Sequence, residues 1–143
     1  MNSNLWKLDA FDQARKLRDR TLTPADLLSH YQARISNLNP RLNAIVCHSE
    51  QAESEAREST KRHNSGQALS ALDGIPILVK DNLMVAGMPA TWGSRLYADR
   101  VCENDELPVE KLRQAGAVII GKTNVPEFTI EGFTDNNLFG LTP

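Results

Sequence analysis

At 143 residues the chain has room for one domain with its own core and is too short for two ordinary ones. Its apolar content is a modest 41%, and 16 Lys and Arg against 18 Asp and Glu leave a formal charge of −2. That balance implies no nucleic-acid partner, and no apolar run reaches the length of a membrane span, so neither partner is expected. The N-terminal MNSNLWKLDAFDQARK breaks its apolar residues with Lys7, Asp9 and Asp12 and does not read as a signal peptide. Cys47 and Cys102 have neither the density of a disulfide scaffold nor a CxxC spacing, which predicts free thiols and a cytoplasmic location.

Leu5, Leu8, Phe11 and Leu17 recur at helical spacing and predict a first amphipathic helix ending near Arg20. A second starts with Thr23 as N-cap, Pro24 at the first helical position and Asp26 in the first turn. It places Leu27, Tyr31, Ile35 and Leu38 on one face, and Asn39-Pro40 should stop it. Residues 43–48, NAIVCH, have the β-branched content of a short strand, after which Ser49 can cap a third helix through about Asn64. That helix is polar, with Glu53/Arg57 and Glu58/Arg62 four residues apart and only Ala52 and Ala56 to face a neighbour.

A polar loop at 65–70 leads to a buried strand at 75–79, with Pro76 tolerated at its start. Gly87, Pro89 and Gly93 make 85–96 an ordered loop. Residues 105–115 predict a helix with Leu107, Leu112 and Ala115 inward and Gly116 as its C-cap. The apolar strand 117–120 follows, with Gly121 at its end. Alternating helices and strands predict a layered α/β fold, with parallel pairing between strands separated by helices. Residues 1–64 read as a helical lead-in with one short strand, and 65–143 as the start of a core.

Residues 116–123, GAVIIGKT, satisfy the phosphate-loop expression GxxxxGK[ST]. The chemistry behind it needs a strand before the first glycine, a flexible loop between the glycines and a helix from the lysine. Here the preceding LPVEKLRQA is charged and helical, the residues between the glycines are the strand, and Pro126 opposes a helix from Lys122. A nucleotide site is therefore rejected.

Lys80 closes the almost uninterrupted apolar run of LDGIPILVKDN. A lysine that loses solvation there is pushed towards its neutral, basic form, and active sites of α/β proteins sit at such strand ends. The alternative is a solvated lysine paired with Asp81. Ser94, in TWGS, is a candidate supporting hydroxyl or a plain loop serine. Asp105 and Glu127 each have a local explanation in the first turn of a helix. His30, His48 and His63 lack metal-ligand spacing, and no metal or cofactor is expected.

In order and spacing, LDGIPILVKDN, TWGS, KLRQAGAVIIGKTNVPEF and TDNNLFG resemble the N-terminal part of the amidase-signature family. The fainter TPADLLSHYQARISNLNPRLNAIV resembles that family's helical lead-in. The resemblance implies the first strands of a layered α/β/α fold with its sheet incomplete. It also implies hydrolysis of a small-molecule amide by a nucleophilic serine, a bridging serine held by a cis peptide, and a lysine base. The lysine of VKDN maps onto Lys80, and NVPEFTIE matches a region that approaches the acyl pocket, making Thr129 and Ile130 substrate-contact candidates.

The family's GGSSGG-like segment follows the FG-x-T motif, where this sequence reaches Leu141-Thr142-Pro143. None of the serines in the chain stands in such a glycine-rich context. The expectation is therefore a truncated amidase-signature hydrolase that is inactive as an isolated chain. The alternatives are one half of a split enzyme, part of an enzyme like the amidase component of a tRNA-dependent amidotransferase, or a non-catalytic domain that self-associates through exposed sheet edges.

Overall fold

The computed structural model describes residues 4–143. They form two compact units. One comprises residues 4–34, Glu50–Ile77 and Lys111–Ile120; the other comprises Ile35–Ser49, Leu78–Glu110 and Gly121–Pro143.

In the first unit the expected opening helix is split. Leu5–Lys7 is a 3-10 turn, Leu8 is extended, and Asp9 accepts from the Asp12 amide at 2.8 Å to start α1 (Ala10–Arg18) afresh. The restart changes the helical phase, so Phe11 is 74% exposed while Gln13 and Leu17 turn inward. Leu5, Leu17, Leu27 and Ile75 form a buried cluster with Leu8, Ala14, Leu22, Tyr31 and Ile77 against it. The buried Gln13 is satisfied, its amide donating to Leu8 O at 2.9 Å and to the Tyr31 hydroxyl at 2.8 Å.

Thr23 caps α2 (Pro24–Leu42) as expected: its Oγ accepts from the Asp26 amide at 3.1 Å and donates to the Asp26 carboxylate at 2.7 Å. The helix does not stop at Asn39-Pro40 but runs through Pro40. A proline in the last turn forfeits a single amide bond, which is too little to end the helix there. The stop is Asn43, at φ +47°, with its amide on Asn39 O. The Asn39 side chain then accepts from the amides of Ala44 and Ile45 and donates to Ile45 O, leading the chain into β1 (Ile45–His48).

Gln51, not Ser49, occupies the N-cap of α3 (Ala52–Ser65), and Gly66 at φ +72° closes it. Its buried face carries Ala52, Ala56, Ser59 and His63, so two polar residues join the expected alanines. Glu53 pairs with Arg57 at 3.3 Å, but Glu58 pairs with Lys61, because Arg62 turns inward to Asp73.

β2 (Pro76–Lys80) begins at its proline. After the ordered loop come α4 (Leu107–Gln114) and β3 (Val118–Thr123). The helix buries Val109 and leaves Leu107 64% exposed, a rotation away from the expected face. The sheet order is β1-β3-β2. Gly74 N reaches Gly116 O, Val118 N reaches Ile75 O and Asp81 N reaches Thr123 O, so β2 and β3 advance together and are parallel, as expected across a helix. β1 is antiparallel to β3, opposing Cys47 to Lys122 and His48 to Gly121, with an irregularity between Ile45 and Cys47. Gly121 does not end β3. A Cβ there would sit 2.4 Å from Cys47 O, so glycine is what lets β1 close on the strand.

Candidate functional site

The expected site residues on and after β2 lie in the second unit. Lys80 ends β2 with an exposed side chain, and Asp81 beside it is 1% exposed, as alternation along an extended backbone requires. Asp81 Oδ2 accepts from the amide of Thr91 at 3.1 Å and from its hydroxyl. The Thr91 hydroxyl in turn accepts from the amide of Gly93 at 3.1 Å, and Thr91 O accepts from the amide of Ser94 at 3.0 Å.

The lysine that loses its water is Lys122 on β3, whose side chain is 0% exposed. Its Nζ donates to Leu83 O and Pro89 O, both at 2.8 Å, and lies 3.7 Å from Asp81 Oδ1. Burial pushes its pKa below the ordinary lysine value, with the Asp81 carboxylate opposing the shift. An end-of-strand lysine keeps its ammonium in solvent; one facing inward from the middle strand cannot. The sequence signal for it was a lysine inside VIIGKT, between an apolar run and Val125. The same segment disposes of the phosphate-loop match: Gly116 follows α4, and Lys122 is a strand residue with its ammonium committed to backbone carbonyls.

Ser94 is 1% exposed and caps the short 3-10 turn Arg95–Tyr97 by accepting from Leu96 N. The network through Asp81 and Thr91 therefore brings the segments of Lys80 and Ser94 together. Thr129 and Ile130 belong to a different turn, Glu127–Thr129, in which Phe128 and Thr129 have φ of +54° and +59°. Ile130 is 79% exposed, and the turn is tied to the TWGS loop by the Phe128 amide on Trp92 O at 2.8 Å.

Three asparagines that sequence reasoning passed over hold the segment after this turn. Asn124 donates to Gly140 O and Thr142 Oγ, Asn136 donates to Asn124 Oδ1 and Val125 O, and Asn43 donates to Phe139 O and Leu141 O. Among the described residues no group of three His, Cys, Asp or Glu side chains could hold a metal ion, and no helix is long and apolar enough to cross a membrane.

A model of the Amidase family matches residues 26–143. Over 139 residues the chain is 37% identical to an indoleacetamide hydrolase of Bradyrhizobium diazoefficiens, covering 96% of this chain and 26% of that protein. Over 140 residues it is 36% identical to an acylamidase of Rhodococcus erythropolis, covering 97% of this chain and 29% of that one. The native peptide amidase of Stenotrophomonas maltophilia matches its fold with a TM-score of 0.86 at 32% identity, over 95% of this chain and 29% of that one. The chain thus spans less than a third of the length of these relatives. A family match over residues 26–143, with these relatives and this solved structure at above 30% identity, places this chain in the amidase-signature family, as an N-terminal portion of the fold.

Proposed function

We propose that residues 1–143 supply the lysine of an amide-hydrolysing site whose two serines lie in a glycine-rich segment outside them. The observation that carries this reading is Lys80: an exposed amine at the carboxyl end of β2, on a segment anchored by a buried carboxylate. Lys80 takes a proton from the bridging serine, which takes one from the nucleophile. The nucleophile attacks the amide carbonyl, and water resolves the acyl-enzyme. Ser94 supports the site through Thr91, while Thr129 and Ile130 contact the acyl side of a small-molecule substrate.

On their own these residues hold neither serine and are inactive, and the outer strands β1 and β2 leave edges that favour self-association. A cytoplasmic enzyme fits the two free thiols. The test replaces the matching segment of the Rhodococcus erythropolis acylamidase with residues 1–143. The chimera should hydrolyse simple amides, and Lys80→Ala should lower kcat by about 10²- to 10⁴-fold. An unchanged rate in that variant, or turnover by residues 1–143 alone, would defeat the assignment.

A further inference from the structure

We infer that Lys122 is a positioning residue for Lys80: from the middle strand, its ammonium clamps Leu83 O, at the end of the turn leaving β2, together with Pro89 O. The inference rests on the reading of Lys80 as the base. The turn is closed by the Leu83 amide on Lys80 O at 3.0 Å, and the carbonyl of that same Leu83 accepts from Lys122 Nζ at 2.8 Å. One residue therefore holds Lys80 with its N–H and is held by Lys122 through its C=O.

A second arm completes a ring. Lys122 Nζ also reaches Pro89 O at 2.8 Å, two residues before Thr91, and Thr91 donates to Asp81 with both its amide and its hydroxyl. Asp81 N donates to Thr123 O at 3.1 Å, next in sequence to Lys122. The ring runs Lys122, Leu83, Lys80, Asp81, Thr91, Pro89 and back. Its step from Thr91 O to the Ser94 amide at 3.0 Å extends the clamp to TWGS.

The residue type fits this task. Two carbonyls beside a carboxylate offer only acceptors, and a buried ammonium brings donors for both carbonyls and a charge that faces the carboxylate at 3.7 Å. Stability alone is a poor reason to keep such a pair, because burying two charges cancels much of their attraction. Holding a catalytic backbone in one place is a better one.

The test uses the 143-residue chain, uniformly isotope-labelled on carbon and nitrogen, and needs no turnover. Lys122→Met keeps the stem and removes the donors, Lys122→Arg keeps charge and donors, and Thr91→Val weakens the other arm by removing its hydroxyl bonds without touching the buried amine. In Lys122→Met the Leu83 amide should exchange at least about tenfold faster relative to the Val118 amide of the β2–β3 ladder, as expected for one lost hydrogen bond. The Lys80 Cε–Nζ NMR cross-peak should move in the same variant, return towards its original position in Lys122→Arg, and move again in Thr91→Val. If Lys122→Met does not fold, Thr91→Val decides through the Lys80 cross-peak. A Lys80 signal unmoved in folded Lys122→Met or in Thr91→Val, or equal loss of protection at Leu83 and Val118, would overturn the positioning role. These signals are independent of the chimera's rate, so a failed base assignment and a failed clamp are told apart.

Discussion

Two buried carboxylates flank β2 in sequence, each beside a cation, and they are finished to different degrees. Asp73 accepts from Ser59 Oγ at 2.6 Å, Arg62 Nε at 2.9 Å, Arg62 Nη2 at 2.7 Å and the Leu69 amide at 2.9 Å. Burial pushes its pKa up, but the bonds from Arg62, Ser59 and Leu69 outweigh that and hold it below the ordinary carboxylate value. Asp81 takes both of its donors from Thr91 on one oxygen, and its other oxygen faces Lys122 at 3.7 Å, beyond hydrogen-bond range. The Lys122 donors go instead to the backbone of the 83–89 segment. Asp73 collects four donors on its two oxygens, whereas Asp81 leaves its neighbouring cation to the backbone carbonyls of Leu83 and Pro89.

The largest effect should come from the finished pair. Asp73→Ala strands Arg62, Ser59 and the Leu69 amide, and should cost about 3–5 kcal/mol in urea unfolding, as for other broken buried pairs. A loss under about 1 kcal/mol would mean that Arg62, 28% exposed, simply returns to water. Lys122→Met should cost less, about 1–3 kcal/mol, because methionine fills the space and removes a buried charge while leaving two carbonyls and Asp81 unpaired. Adding Asp81→Asn to it should recover part of that loss, with a coupling of about 1 kcal/mol or more. Additive losses would show that the 3.7 Å approach is mere proximity.

The same contrast explains what the sequence could reveal. Strand and helix identities were legible in local chemistry: Pro24 after Thr23, Pro76 opening a strand, Gly116 closing α4 at φ +89°. The family was legible in four ordered motifs, and the end of β2 in a single lysine. Which lysine would be dry was not legible, because burial is decided by partners 33 to 41 residues away along the chain: Pro89, Leu83 and Asp81 for Lys122. Counting helical turns through Asp9 puts Phe11 inward, but the Asp9 cap restarts the helix and turns Phe11 out. Pro40 suggests a stop that Asn39 and Asn43 supply three residues later. In each case a side chain bonding the backbone overrode a periodicity or a residue preference.

The subtlest difference between the two pairs is where each bends the pH dependence of stability. Asp73 has a folded pKa below its unfolded value, so its contribution is complete above the ordinary carboxylate range of about 3.9 and is lost as pH falls through the folded value. Lys122 also has a folded pKa below its unfolded one, but for a base this means the folded state releases its proton first. Between that lowered value and the ordinary lysine pKa of about 10.4 the unfolded chain binds more protons, so stability from Lys122 rises with pH as the burial cost is relieved. Subtracting the Lys122→Met curve from the wild-type curve should leave a positive alkaline slope. Subtracting Asp73→Asn should leave a positive slope confined to acid. A negative alkaline difference would mean that Asp81, together with the thiols of Cys102 and Cys47, outweighs desolvation at Lys122. The clamp would then be a true ion pair like that of Asp73 rather than an amine shared among carbonyls.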